Sequence, residues 1–232
     1  RRPVPGRRRH LAWPRRAWLG LALAAAAVPV AAAPATFATI EPARVEAGSF
    51  YRGAALRVSG TVGVRSQVAI RVTGASEHHT FNRRGKIGGV IWGGVEHVTF
   101  RHAPSLYAVY TSAALATVAG PELRGRLRLG YESVAARMEV EGTREDRQEM
   151  ISYFLRLKES EGLYRLAPGS VRLGDAEGGR HAFDVAVALP STAPPGEIEV
   201  AVFELAGGAL VGEDSARVRL ERVGMPAWLF GL

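Results

Sequence analysis

Cysteine is absent from this 232-residue chain. That excludes thiolate catalysis, cysteine-ligated metal and disulfide staples, so any β-sandwich must be held by its core alone. The short signatures of common chemistry are missing as well. The chain contains no G-x-S-x-G elbow, no G-x-x-x-x-G-K-[ST] phosphate loop and no dinucleotide glycine fingerprint. Its histidines lack the spacing of a helical zinc motif. His78 and His79 are adjacent and face opposite sides of a strand, and His97 and His102 oppose each other if their strand runs straight. Acid is missing from residues 1–35, which hold seven arginines (Arg1, Arg2, Arg7, Arg8, Arg9, Arg15, Arg16). Without those seven, 23 basic residues face 22 acidic ones. A near-neutral body offers little counterion release, so nucleic acid is not an expected partner.

The arginines lead into "AWLGLALAAAAVPVAAAPA", residues 17–35. A positive flank, an apolar centre and small residues at the end predict a secretory signal peptide over 1–35. Short alternating runs follow. Leu56 and Val58 alternate with Arg57 and Ser59; Val68, Ile70 and Val72 with Ala69, Arg71 and Thr73; Val98 and Phe100 with Thr99 and Arg101. Tyr107, Val109 and Thr111 share one face, opposite Leu106, Ala108 and Tyr110. Period two with glycine and proline punctuation predicts an N-terminal β-sandwich over 36–120. The pattern changes in a connector, 121–165. There "TREDRQEMISYFLRLKESEG" predicts a helix over 143–161, with Thr143 as N-cap, Asp146 as its reciprocal partner and Gly162 as the stop. Alternation returns through Phe183, Val185, Val187 and Leu189, then Ile198, Val200 and Val202, a tight turn at 206–208, and Val218 with Leu220. This predicts a second sandwich over 166–224. The expected fold class is mainly β: two immunoglobulin-like β-sandwich domains with a helical connector. Residues 225–232 carry Trp228, Leu229 and Phe230, which suit a membrane interface and are expected to begin an anchor.

The unusual stretch is "NRRGKIGGVIWGG", residues 82–94. Arg83 to Lys86 are expected to form a polar turn. Gly88 and Gly89 would allow a bulge, Val90 to Trp92 would return to the core, and Gly93-Gly94 would turn again. Arg83, Arg84, Lys86 and Trp92 are the candidate contacts, cations beside an aromatic, for an acidic partner or anionic lipid headgroups. Glu145, Asp146, Glu149, Glu159 and Glu161 read as a solvated helical face and not as an acid/base pair. No catalytic residue, metal ligand or cofactor is expected.

Residues 80–115, "TFNRRGKIGGVIWGGVEHVTFRHAPSLYAVYTSAAL", resemble the signature region of a proteobacterial family of "putative transmembrane proteins". The matching positions are Arg83, Arg84 and Lys86, then Gly89 to Trp92, Phe100, and Pro104 with Tyr107, Ala108 and Val109. "FLRLKESEGLYR" and "FDVAVALPSTAPPGEIEVAVFELAGGALV" resemble the family's helix and hairpin, so the likeness spans roughly 45–224. Val90 lengthens the G-I-W run, and Gly93 and Ile198 stand where the family usually has Asn and Tyr. The resemblance implies an N-terminal signal, an extracytoplasmic β-rich body and a membrane helix beyond Leu232. It places the protein at the inner membrane, facing the periplasm. It also implies a partner among envelope or membrane proteins, a sulfite-type anion permease in particular. The expected function is that of a non-enzymatic, membrane-anchored accessory or interaction protein. An envelope enzyme with convergent histidines and carboxylates, and a structural spacer, stay open beside it.

Overall fold

The computed structural model describes residues 37–48, 51–87, 91–142 and 146–223, with the backbone alone for 82–87 and 91–96. The elements in chain order begin with β1 (Ala38–Glu41), β2 (Arg44–Ala47), β3 (Ala54–Gly63) and β4 (Ser66–Gly74). Next come β5 (Ser76–Ile87), β6 (Ile91–Pro104) and β7 (Tyr107–Thr111). The connector contributes α1 (Leu115–Val118), α2 (Pro121–Leu127), α3 (Tyr131–Ala135), β8 (Glu139–Glu141) and α4 (Arg147–Ser160). The chain then runs through β9 (Tyr164–Ala167), β10 (Arg172–Glu177), β11 (Arg180–Leu189), β12 (Gly196–Ala206) and β13 (Ala209–Arg222).

The mainly β expectation holds: three sheets carry the described residues, in the orders β1-β3-β11-β10, β2-β13-β12-β4-β7-β9 and β5-β6-β8. Burial follows the alternation of the sequence. In β11, Phe183, Val185, Val187 and Leu189 are buried while the residues between them are exposed. Each such side chain taken from water stabilises the fold by about 1.5–3 kcal/mol. The central strands β4 and β7 are buried on both faces. One face meets the four-stranded sheet, where the Tyr110 hydroxyl accepts from the Ala188 N–H. The other lies under the connector, where Arg71 donates to the Leu127 carbonyl at the end of α2.

Residues 36–120 and 166–224, expected to fold as separate sandwiches, fold together. β3 pairs with β11 from Ala54↔Leu189 to Gly63↔Arg180, and β4 pairs with β12 from Ser66↔Ala206 to Gly74↔Ile198. Their buried residues join one apolar core, and all the described residues lie in a single unit, Pro34–Leu232. Alternation tells which face of a strand is buried. It does not say which distant strand will occupy its open edge.

The connector helix begins later than its spacing implies. Asp146 is the N-cap of α4, its carboxylate accepting from the N–H groups of Gln148 (2.8 Å) and Glu149 (3.1 Å). An aspartate with extended backbone satisfies two orphan donors directly, so the helix starts there and not near 143. Thr143 and Glu145 lie outside the described residues. Gly162, at φ +75°, ends the helix region as expected.

The feature that positions the candidate sites is a ribbon. β4 and β7 pair from Ala69↔Thr111 to Thr73↔Tyr107. The Gly74 N–H donates to the Leu106 carbonyl and the Ser105 N–H to that of Ala75, and β5 and β6 continue the ladder from Ser76↔Pro104 to Ile87↔Ile91. At about 3.3 Å per residue the twelve residues of β5 reach roughly 40 Å. A Cβ at Gly74 would meet the Ser105 hydroxyl and crowd the Leu106 N–H at 3.0 Å, so the strands approach closely where the ribbon departs. The connector braces this ribbon. β8 pairs with β6 from Thr99↔Glu141 to Arg101↔Glu139. Phe154 of α4 packs on Phe100 at 4.6 Å between ring centroids and on Phe81 at 6.0 Å.

Candidate functional site

Arg83 and Arg84 lie within β5, opposite Glu96 and Val95, and Lys86 lies opposite Trp92. The expected turn at 83–86 is therefore strand, with a register shift between Arg84 and Lys86. Gly93 and Gly94 do not turn the chain either, since they fall inside β6. Glycine keeps both backbone hydrogen-bonding groups, so a ladder passes through it with only side-chain packing lost. The side chains of Arg83, Arg84, Lys86 and Trp92 lie outside the described residues, as do the expected signal peptide at 1–35 and residues 225–232.

The histidines sort differently from a straight-strand reading. A register shift between Glu77 and His79, and a left-handed backbone at His102 (φ +59°), bring the His78 and His102 rings to 6.2 Å. His97 is exposed. The nearest carboxylates are Glu139, 3.8 Å from His102, and Glu77, 3.9 Å from His79. Among the described residues no three metal-ligating side chains group together. His79 faces inward, 5.5 Å from the Phe154 ring, and its Nε2 has no hydrogen-bond partner. Burial lowers its pKa, and the nearby Lys158 ammonium lowers it further against the pull of Glu77 and Glu161. Lys158 itself is buried under the rings of Phe154 and Phe81 and pairs with Glu161 at 3.0 Å.

At the ribbon's base, where it leaves the six-stranded sheet, a cleft of about 430 Å³ opens against the connector. Thr73 of β4, Tyr107 of β7 and His102 of β6 line it from the sheet and ribbon; Arg128 and Arg137 line it from the α2–α3 side. Arg128 has a left-handed backbone (φ +58°), and with His102 it accounts for the positive-φ residues other than glycine among the described residues. An L side chain in that region costs about 1–2 kcal/mol, so the surroundings must enforce it. They do so through a buried polar clamp. Arg71 Nη1 donates to the Leu127 carbonyl at 2.6 Å. The Tyr107 hydroxyl donates to the Arg128 carbonyl and accepts from the Gly130 N–H, both at 2.8 Å. Ser133 Oγ donates to the Gly130 carbonyl at 2.7 Å. Arg71 is held in turn by Glu199 at 2.5 Å and lies over the Phe203 ring. Burial pushes the Tyr107 pKa up to about 12, which keeps the bridging phenol neutral.

The sequence gives no local sign of this cleft. Arg128 is one arginine of several in "LRGRLRLG", and its left-handed backbone has no signature beyond the glycine that follows two residues later. Thr73, Tyr107 and Arg137 stand far apart in the chain and meet through the sheet and the connector.

No helix among the described residues is long and apolar enough to cross a membrane. No curated protein and no solved structure matches the chain. Residues 37–232, which include the ribbon, its bracing helix and both core sheets, match the family described as "Putative transmembrane protein (Alph_Pro_TM)", and the chain belongs to that family.

Proposed function

We propose that this chain is the extracytoplasmic, β-rich body of a membrane-anchored protein, held at the inner membrane facing the periplasm, that works by binding a partner. Its two core sheets form the layers of an immunoglobulin-like sandwich. The partner is another envelope membrane protein of permease type, and the ribbon is the docking element. The observation that carries this reading is the braced ribbon: β5 and β6 extend from the six-stranded sheet while β8 and α4 secure their base. Its register places Arg83, Arg84, Lys86 and Trp92 within a few rungs of the Ile87↔Ile91 pair, so residues of cationic and aromatic type stand in the sequence at its far end. Membership of a transmembrane-protein family and the arginine-led apolar leader support the membrane attachment.

The test places a photo-crosslinking residue at Arg83, at Lys86 and, as a control, at exposed Glu213 of β13, in the full chain expressed in native membranes. Cross-links to one membrane protein from positions 83 and 86, absent from position 213, are the expected result. Equal labelling from all three, or none from the ribbon, removes the ribbon as docking element. Protease protection in spheroplasts checks the side of the membrane.

A further inference from the structure

The cleft at the base of the ribbon is separate from the docking tip and has its own chemistry. Its cations are short of partners. The exposed Arg128 and Arg137 guanidiniums make no ion pair among the described residues, so no carboxylate of the chain occupies them in the cleft. They also repel one another. Burial lowers the Arg128 pKa first, and the charges of Arg137 and Arg71 lower it further, against a smaller pull from Glu199. His102 adds a third nitrogen-bearing side chain at the rim, tethered only loosely, at 3.8 Å, to Glu139. Thr73 adds a hydroxyl that has no hydrogen-bond partner and is shielded from solvent. With the turn at Arg128 fixed by Arg71, Tyr107 and Ser133, the exposed Arg128 and Arg137 side chains both line the cleft, with donors that no protein group uses.

We infer that this cleft binds a small organic anion, its carboxylate or phosphate group held between the Arg128 and Arg137 guanidiniums. The guanidinium fork matches either oxyanion and forms the stronger, charge-assisted class of hydrogen bond. The size argues for more than a bare inorganic ion: about 430 Å³ falls in the range of small-molecule sites, roughly 300–1,000 Å³. Pro104 and Val134 supply an apolar wall for the body of the ligand. Removing the repulsion between the two arginines favours binding in the same direction as the new contacts, because an anion between them offsets a cost the empty protein carries.

Titration calorimetry on the full chain in detergent tests this with phenyl phosphate and benzoate as anionic probes and benzyl alcohol as the neutral control. Both anions bind and the alcohol does not. Arg128→Asn, chosen because asparagine tolerates the left-handed backbone, and Arg137→Gln each weaken binding tenfold or more. Arg126→Gln, on the exposed side of α2, leaves it unchanged. The melting temperatures of Arg128→Asn and Arg137→Gln stay at or above that of the parent, which separates lost binding from lost folding. Absence of binding by both anions, equal binding of the alcohol, or undiminished affinity in both cleft variants overturns the inference. Binding confined to phosphatidylglycerol vesicles overturns it as well, because the anion would then be a lipid headgroup. Cross-linking from positions 83 and 86 is unaffected by Arg137→Gln, so the cleft and the ribbon tip stand or fall separately.

Discussion

Tyr107→Phe removes one oxygen atom and little else. The ring is 2% exposed and keeps its contacts with Tyr131 and Tyr164, at 6.2 and 5.9 Å between centroids, so no cavity forms. What is lost is the bridge. The buried Gly130 N–H loses its acceptor and the Arg128 carbonyl loses its donor. Leaving a buried polar group unpaired costs about 1–3 kcal/mol, and with two groups affected the expected destabilisation is about 2–4 kcal/mol. For a domain of this size each kcal/mol moves Tm by about 2–4 °C, which gives a fall of roughly 4–16 °C. Tyr110→Phe provides the comparison. Its hydroxyl accepts a single bond, from Ala188 N–H at 3.1 Å in a half-buried setting, and water can replace it. That variant should lose under about 1 kcal/mol. Urea denaturation with linear extrapolation measures both. If Tyr107→Phe is as mild as Tyr110→Phe, the left-handed turn at Arg128 does not depend on the phenol and the clamp described above is wrong.

Alkali should act on the same cluster. Burial raises the Tyr107 pKa to about 12, against about 10 in an unfolded chain, and raises those of Tyr131 and Tyr164 too. The unfolded state therefore gives up phenolic protons first as pH rises. The stability tied to the neutral phenols is intact below pH 10 and lost as pH climbs past it, and phenolate absorbance from these residues should appear together with unfolding. In acid the sensitive group is His79, whose pKa is lowered by burial and then by Lys158. Stability is full above the unfolded value near 6.5 and falls as pH drops below it; His79→Phe should flatten that acid limb in unfolding curves between pH 5 and 8. Phe154→Ala removes a ring with no exposed surface that touches Phe100, Phe81 and Tyr164, and should cost about 3–5 kcal/mol with earlier hydrogen exchange in β5 and β6. Gly60→Ala places a Cβ against the Phe37 carbonyl and within 2.9 Å of the Phe183 ring, so β1 must shift, and loss of more than about 2 kcal/mol is expected by denaturation.

Much of the layering is legible in the chain. The buried positions of β3 and β11 are those the alternation marks, because a strand with one face on a core must segregate its side chains by parity, whereas β4 and much of β12 are buried on both faces and the alternation there marks only half of what is covered. The turn at Gly207–Gly208 is equally legible, since positive φ at both positions suits glycine. Edge partners are another matter. Nothing local in Leu56 or Val58 distinguishes β11 from a nearer neighbour, because pairing uses backbone groups that every residue carries. The ribbon was obscured by its glycines, which resemble turns when counted and behave as strand when their donors and acceptors have somewhere to go. The cleft left no trace because it is built from one or two residues each of β4, β5, β6 and β7 together with the α2–α3 region, each ordinary where it stands. His102 was visible as a histidine, but the left-handed backbone that carries its ring to His78 was not.

The pairing of β3 with β11 and of β4 with β12 has a consequence for the nascent chain. A ribosome that has completed residue 165 has made both N-terminal partners and neither of their mates, so two hydrogen-bonding edges wait, exposed, for more than a hundred residues of synthesis. No truncated product ending before β12 can leave a finished half behind. During that interval those edges are open to a stranger's strand.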